Sequence, residues 1–126
     1  MPTIIAVNNP DLRDGPVLIT VEYIVDPAQA AEFLNAVRKY ERVRRRDGAS
    51  RWGIFHDVEA GDRYVETFLV HSWAEHLRQH ARQTLADRKL EKQVQSFAQR
   101  EPKVQHLIYA RPRRARQAAS PKQPER

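Results

Sequence analysis

The chain has 126 residues and no cysteine, with 22 Lys and Arg against 16 Asp and Glu for a net charge of +6. A chain of this length builds one domain with a modest core, and the missing cysteines exclude disulfides, thiolate nucleophiles and cysteine-ligated zinc or iron–sulfur sites. No run approaches the ~18 apolar residues of a membrane span, and the opening residues lack the basic and apolar regions of a signal peptide, so a cytoplasmic protein is expected.

Residues 1–15 include the turn-forming run NNPDLRDG and are read as a lead-in segment, with a short strand at Thr3–Val7. The run PVLITVEYIV follows and is rich in β-branched residues. Val17, Ile19, Val21, Tyr23 and Val25 share one face of this strand, and Leu18, Thr20, Glu22 and Ile24 the other. Both faces are largely apolar, so both should be covered. Asp26, Pro27 and Gln29 then have the cap, first-position proline and third-position glutamine of a helix start. Ala30, Phe33, Leu34, Val37 and Tyr40 recur at helical spacing, and Gly48 supplies the stop. Arg44, Arg45 and Arg46 fall at the end of this helix, where its dipole favours cations, and are read as solvated.

Two strands come next, SRWGIFHDVE and RYVETFLVHS, joined by the short link AGD as a hairpin. Ser72 and Glu75 form a capping box for a second helix. Trp73, Leu77, Ala81, Thr84 and Leu85 line one side of it as far as about Asp87, with a continuation or further helix through RKLEKQVQSFAQR. Pro102 closes that region and KVQHLIYA is the last strand. The sixteen residues from 111 to 126 hold six Lys and Arg against one acid, so the rest of the chain carries only +1. This basic tail is expected to be disordered, with weak electrostatic contact to anionic surfaces and no specific nucleic-acid partner.

The order strand, helix, strand, strand, helix, strand is the ferredoxin-like α+β arrangement, a four-stranded antiparallel sheet over residues 16–110 with its helices on one face. The other face would be left bare with large apolar side chains on it, which predicts a homodimer through the open sheet face.

Several stretches carry a likeness: RRRDGA at 44–49, ETFLV at 66–70 and SWAEHLRQH at 72–80. Between Gly15 and about Ala110 the chain resembles the dimeric α+β barrel group that includes antibiotic biosynthesis monooxygenases. It is more narrowly similar to the soluble module at the C-terminal end of some bacterial major facilitator superfamily transporters. The resemblance implies a dimeric α+β barrel, no cofactor, and a small-molecule pocket between sheet and helices to which a helical L-x-x-H segment contributes. Leu77 and His80 match that segment.

His76 and His80 lie one helical turn apart, but the zincin pattern needs Glu directly after the first histidine and Leu77 stands there, so no metal is assigned. His76, offset from the apolar stripe, is read as outward, and His80 as the inward member. A cofactor-free oxygenase acting on an aromatic, polyketide-like compound needs an apolar pocket, a base near neutral pKa and a donor for the developing oxyanion. His80 is the candidate base, Trp73, Leu77 and Tyr64 the walls, His56 a second polar group, and Phe33 and Val37 further lining. The same residue types also serve as ordinary core. Two functions follow: a small-molecule-binding protein with or without oxygenase turnover, or a non-catalytic dimerisation or regulatory module.

Overall fold

β1 (Val17–Ile24) forms the centre of the sheet, and its alternation decides which side is filled. The structure is a computed structural model and describes residues 11–110, apart from Arg82 and the side chains of residues 79–81. The expected strand at 3–7 and the basic tail at 111–126 lie outside the described residues. Along β1 the odd positions Val17, Ile19, Val21 and Tyr23 are buried and the even ones half-buried, which is the burial pattern of a strand covered on one side.

The chain continues through Asp26, whose carboxylate accepts from the Ala28 amide at 3.0 Å, and a 3-10 turn at Pro27–Gln29 into α1 (Ala30–Arg46). Phe33, Ala36, Val37, Tyr40 and Val43 on α1 are buried against the sheet. β2 (Ser50–His56) and β3 (Arg63–Val70) form the expected hairpin, and β4 (Lys103–Ile108) closes the far edge. The sheet order is β2-β3-β1-β4, antiparallel throughout, so α1 crosses over from β1 to β2 with β3 inserted between them. This is the ferredoxin-like arrangement.

One irregularity in β2 places a side chain. The pairing shifts between Ser50 and Gly53, where Arg51 takes a positive φ of 50°. A bulge of this kind re-aims the residues next to it. Beyond it Ile54 and His56 pair with Glu66 and Tyr64, so Trp52, Ile54 and His56 face the helices, while Gly53 and Phe55 face the open side.

The second half of the helical layer differs from expectation. A single helix running to about Asp87 is replaced by α2 (Trp73–Ala81) and α3 (Leu85–Gln95). Thr84 caps α3: its hydroxyl accepts from the Asp87 amide and the Asp87 carboxylate from the Thr84 amide, both at 3.1 Å. Asp87 therefore stands in the first turn of a new helix. Ser72 caps α2 as expected, its hydroxyl accepting from the Glu75 amide at 3.1 Å.

Residues 11–15 also take part in α2. The Trp73 and Ala74 amides, two of the orphan donors of a helix start, donate to the carbonyls of Asp14 at 2.8 Å and Leu12 at 2.9 Å. Gly15 permits this approach, since a Cβ there would stand 2.2 Å from the His71 carbonyl oxygen. That oxygen is backbone and cannot swing away. Gly15→Ala should therefore cost at least ~1–3 kcal/mol of stability, read as a lower urea midpoint, and should loosen α2 first, read as faster amide exchange at Trp73 and Ala74. An unchanged midpoint would show that the segment does not hold α2.

Candidate functional site

The charged centre of the domain lies under α1. Glu66 on β3 occupies the helix-facing side between Tyr64 and Phe68, positions that the strand period reserves for apolar residues, and it is 0% exposed. Arg44 continues the α1 stripe Phe33, Val37, Tyr40 by one further step of four, which aims it at the same place. The two meet in a bidentate pair, Arg44 Nε to Glu66 Oε2 at 2.8 Å and Nη2 to Oε1 at 3.0 Å. The Tyr23 hydroxyl donates to Oε1 at 3.0 Å, and Trp52 Nε1, delivered by the β2 bulge, donates to Oε2 at 2.8 Å. Each carboxylate oxygen therefore accepts two hydrogen bonds. The guanidinium carbon lies 4.6 Å from the ring centroids of both Tyr40 and Phe68, so its apolar faces are covered while its edge is hydrogen-bonded.

This arrangement keeps its ionisable groups in one state at neutral pH. Burial alone would raise the Glu66 pKa, but the Arg44 charge and the donors from Arg44, Trp52 and Tyr23 outweigh it and hold the carboxyl below its ordinary value. Burial likewise acts to lower the Arg44 value, and the Glu66 charge beside it drives the net shift upward. Burial, reinforced by the negative charge of Glu66, raises the Tyr23 phenol, and burial pushes Tyr40 up to about 12. The phenols stay protonated and the ion pair stays charged.

A cavity of about 250 Å3 opens beside this centre, lined by Val21 and Tyr23 of β1, Tyr40 and Arg44 of α1, Glu91, Val94 and Gln95 of α3, and Glu101, Pro102 and Val104 around the start of β4. Tyr23, Tyr40 and Arg44 give it hydrogen-bonding groups at the ion pair. Glu91 and Glu101 belong to its outer part, Glu91 half-buried and Glu101 exposed.

Among the described side chains, none of the site residues expected from sequence lines this cavity. Phe33 and Val37 are fully buried; Phe33 packs against Tyr23, Tyr64 and Phe97 with ring centroids 5.2, 5.3 and 6.2 Å apart. His56 stacks on Tyr64 at 4.2 Å on the exposed hairpin end, and its Nε2 hydrogen-bonds the Gly61 carbonyl at 2.8 Å. Tyr64 stands near the start of β3 and Trp73 beyond its end, with the six residues or ~20 Å of strand from Tyr64 to Val70 between them, so they do not wall one pocket. Leu77 is 42% exposed. His80 belongs to α2, and its side chain lies outside the described residues.

His76, expected to point outward, is 0% exposed. Its ring lies 5.4 Å from that of Trp73 and 4.8 Å from that of His106, which follows Val104 on the same face of β4. The buried side of α2 therefore runs through Trp73 and His76, spaced three apart, with Leu77 turned toward solvent. Among the described residues no group of three or more His, Asp or Glu side chains is placed to hold a metal ion, and no helix is long and apolar enough to cross a membrane.

Sequence reasoning missed Arg44, Glu66, Tyr23 and Tyr40 as one unit. The signal was present in the two periodicities, since each charge occupies an inward position of its own element. Neither element alone names the partner, which lies 22 residues away.

Comparison with known proteins places the fold. Residues 3–114 match the model of the family described as transmembrane secretion effector. None of the curated proteins matches the chain. Among solved structures, a protein from Bordetella bronchiseptica assigned as an antibiotic biosynthesis monooxygenase is similar at 19% identity and a TM-score of 0.63, covering 76% of this chain and 99% of that one. A protein of the same assignment from Caulobacter crescentus gives 15% and 0.67 over 79% and 94%. SnoaB, a cofactor-independent oxygenase from Streptomyces nogalater, gives 14% and 0.56 over 76% and 92%. These likenesses establish the ferredoxin-like fold.

The Glu66 carboxyl sits below its unfolded value of about 4.5, so its stabilisation is complete above that pH and is lost as pH falls through the lower, folded value. Glu66→Gln leaves the Arg44 charge buried without its counter-ion, which should cost about 3–5 kcal/mol at pH 7. The variant should also lose stability less steeply than the parent as pH falls below 4.5. Urea titrations across that range check both, and parallel curves would remove Glu66 as the source of acid sensitivity.

Proposed function

We propose, for a chain that belongs to the transmembrane secretion effector family, that residues 16–110 form a small-molecule-binding module acting as a homodimer in the cytoplasm, and that it binds its ligand without transforming it. The observation that carries this reading is the cavity beside Arg44 and Glu66. A concave site in which fixed polar groups stand among aliphatic and aromatic side chains can hold and orient a ligand. Its ionisable inner groups are held away from neutral titration, whereas a general base needs a pKa near the working pH. Such a site can orient an oxygen-bearing ligand by hydrogen bonds but offers it no proton acceptor at its inner end.

The homodimer is supported by the open side of the sheet. Phe55 is 61% exposed and its ring lies across Gly53, with Leu107 also exposed and Leu18, Val65 and Leu69 half-buried on the same face. A second copy meeting this face would remove these apolar side chains from water. The basic tail adds at most weak attraction to anionic surfaces in this scheme.

The cluster of Trp73, His76 and His106 favours a second reading. It gathers two imidazoles and an indole on the helix-covered side of a fold shared with a cofactor-independent oxygenase. In that reading the base comes from α2, from His76 or from His80 one turn along, and the substrate is an aromatic compound oxidised by O2.

Native mass spectrometry of the full chain, purified without additives, tests the main reading: a dimer carrying or accepting a small organic mass is expected. Oxygen uptake with a bound aromatic compound, abolished in His76→Ala or His80→Ala, would transfer the assignment to the oxygenase reading. Phe55→Glu combined with Leu69→Lys should turn the dimer into a folded monomer at micromolar concentration, measured by light scattering after size exclusion. A monomeric parent would overturn the interface.

A further inference from the structure

We propose that the cavity, on the reading that it is a binding site, selects a single-ring amine: a protonated nitrogen at the mouth and an oxygen acceptor at the floor. Three features of the lining support this assignment. The floor offers donors without net charge. Arg44 spends Nε and one Nη2 hydrogen on Glu66, and a guanidinium has five N–H groups, so others remain for a ligand oxygen. The positive charge itself is cancelled by the Glu66 carboxylate directly behind it, at 2.8 Å. A phenol or carbonyl oxygen can be bound there, while a carboxylate finds its attraction to Arg44 offset by repulsion from Glu66.

The walls mix the side chains of Val21, Val94, Val104 and Pro102 and the rings of Tyr23 and Tyr40 with the polar groups of Gln95 and the charged residues. A volume of about 250 Å3 falls below the ~300–1,000 Å3 usual for drug-sized ligands, which limits the guest to about one ring.

The mouth is negative. Glu91 on α3 and Glu101 before β4 both line the cavity, and among the described residues neither is in an ion pair. Glu91 receives only the Gln83 side-chain amide, at 2.8 Å. Three basic residues stand near them in the chain, Lys92 beside Glu91, and Arg100 and Lys103 around Glu101 and Pro102; all three are exposed, and none pairs with either carboxylate. The lining holds two carboxylates against one guanidinium, and Glu66 cancels the charge of that guanidinium from behind, so a cation entering the mouth is attracted and an anion repelled. The proximity of a half-buried carboxylate to aromatic rings suits an organic ammonium in particular, through charge pairing and cation–π attraction together.

The test is calorimetry on the full chain at pH 7 with three single-ring probes of similar size: tyramine, phenethylamine and 4-hydroxyphenylacetate. Tyramine is expected to bind best. Phenethylamine, which lacks the floor hydrogen bond, should bind about five- to tenfold more weakly, and 4-hydroxyphenylacetate weakest of all. Glu91→Gln with Glu101→Gln should weaken tyramine several-fold, remove its salt dependence and erase its advantage over 4-hydroxyphenylacetate, while leaving the urea midpoint within error. Equal or tighter binding of 4-hydroxyphenylacetate by the parent would overturn the selection for a cation and leave the binding site standing. Failure of all three probes to bind would overturn both.

Discussion

The helix-covered side of the domain is organised around one ion pair. Glu66 and Arg44 cannot be taken out of water separately without a cost of several kcal/mol each, so every element that touches them is constrained by the need to satisfy them. β3 supplies the carboxylate, α1 the guanidinium, β1 the Tyr23 hydroxyl and β2 the Trp52 indole. The bulge at Arg51 is part of the same requirement, because it sets the register that turns Trp52 toward Glu66. A hydrophobic pair of similar volume would pack the same space with less demand on geometry. What the ion pair adds is a unique angle for α1 on the sheet, since a bidentate contact fixes direction as well as distance.

That angle bears on the cavity. α1 is held over β3 by Arg44 and joined at its end to α3 through the Arg46 and Asp87 side chains. Asp87 is also the residue that completes the cap of α3, so one carboxylate ties the start of that helix to the end of α1. The gap between α1, α3 and the β4 edge is thus bounded by fixed contacts at Arg44 and Asp87. The opposite end of the helical layer is fixed differently: α2 is held by backbone donors from Trp73 and Ala74 to the lead-in segment, with Gly15 packed against His71. The two helices that follow β3 are consequently anchored to different parts of the chain, which is why they form two elements and not one.

The fold was legible because it rests on periodicities that each element displays by itself. β1 alternates without exception, α1 repeats at three and four, and the hairpin link is short. The position of the break between α2 and α3 was not legible, because Thr84 falls in step with Trp73, Leu77 and Ala81 along one side of a continuing helix as well as it suits a cap. His76 was misplaced for a related reason: Leu77 was assumed to define the inner side of α2, whereas Trp73 and His76 do. The site was the least legible part. Arg44 stands in a run of three arginines at a helix end, where solvation is the ordinary outcome, and only its spacing from Tyr40 sets it apart from Arg45 and Arg46. Glu66 shows the converse pattern, a charge where alternation asks for an apolar side chain. An inward charge on one element demands an inward opposite charge on another, and that rule would have paired the two without any knowledge of the fold.

β1 belongs to both surfaces on which the functional reading depends. Its odd residues Val21 and Tyr23 line the cavity, and its even residues Leu18 and Ile24 face the open side of the sheet. In the proposed dimer, that strand would have the ligand on one side and the second copy on the other, with no layer between them. A guest that draws Arg44 or Tyr23 toward itself acts on the hydrogen bond from Tyr23 to Glu66, and through it on the pairing of Val21 with Glu66 and Tyr23 with Tyr64. Ligand occupancy and sheet geometry are then coupled by direct contact. For a binding module, this arrangement gives a route by which an occupied pocket alters the surface presented to a partner, and it requires no movement larger than the repacking of one strand.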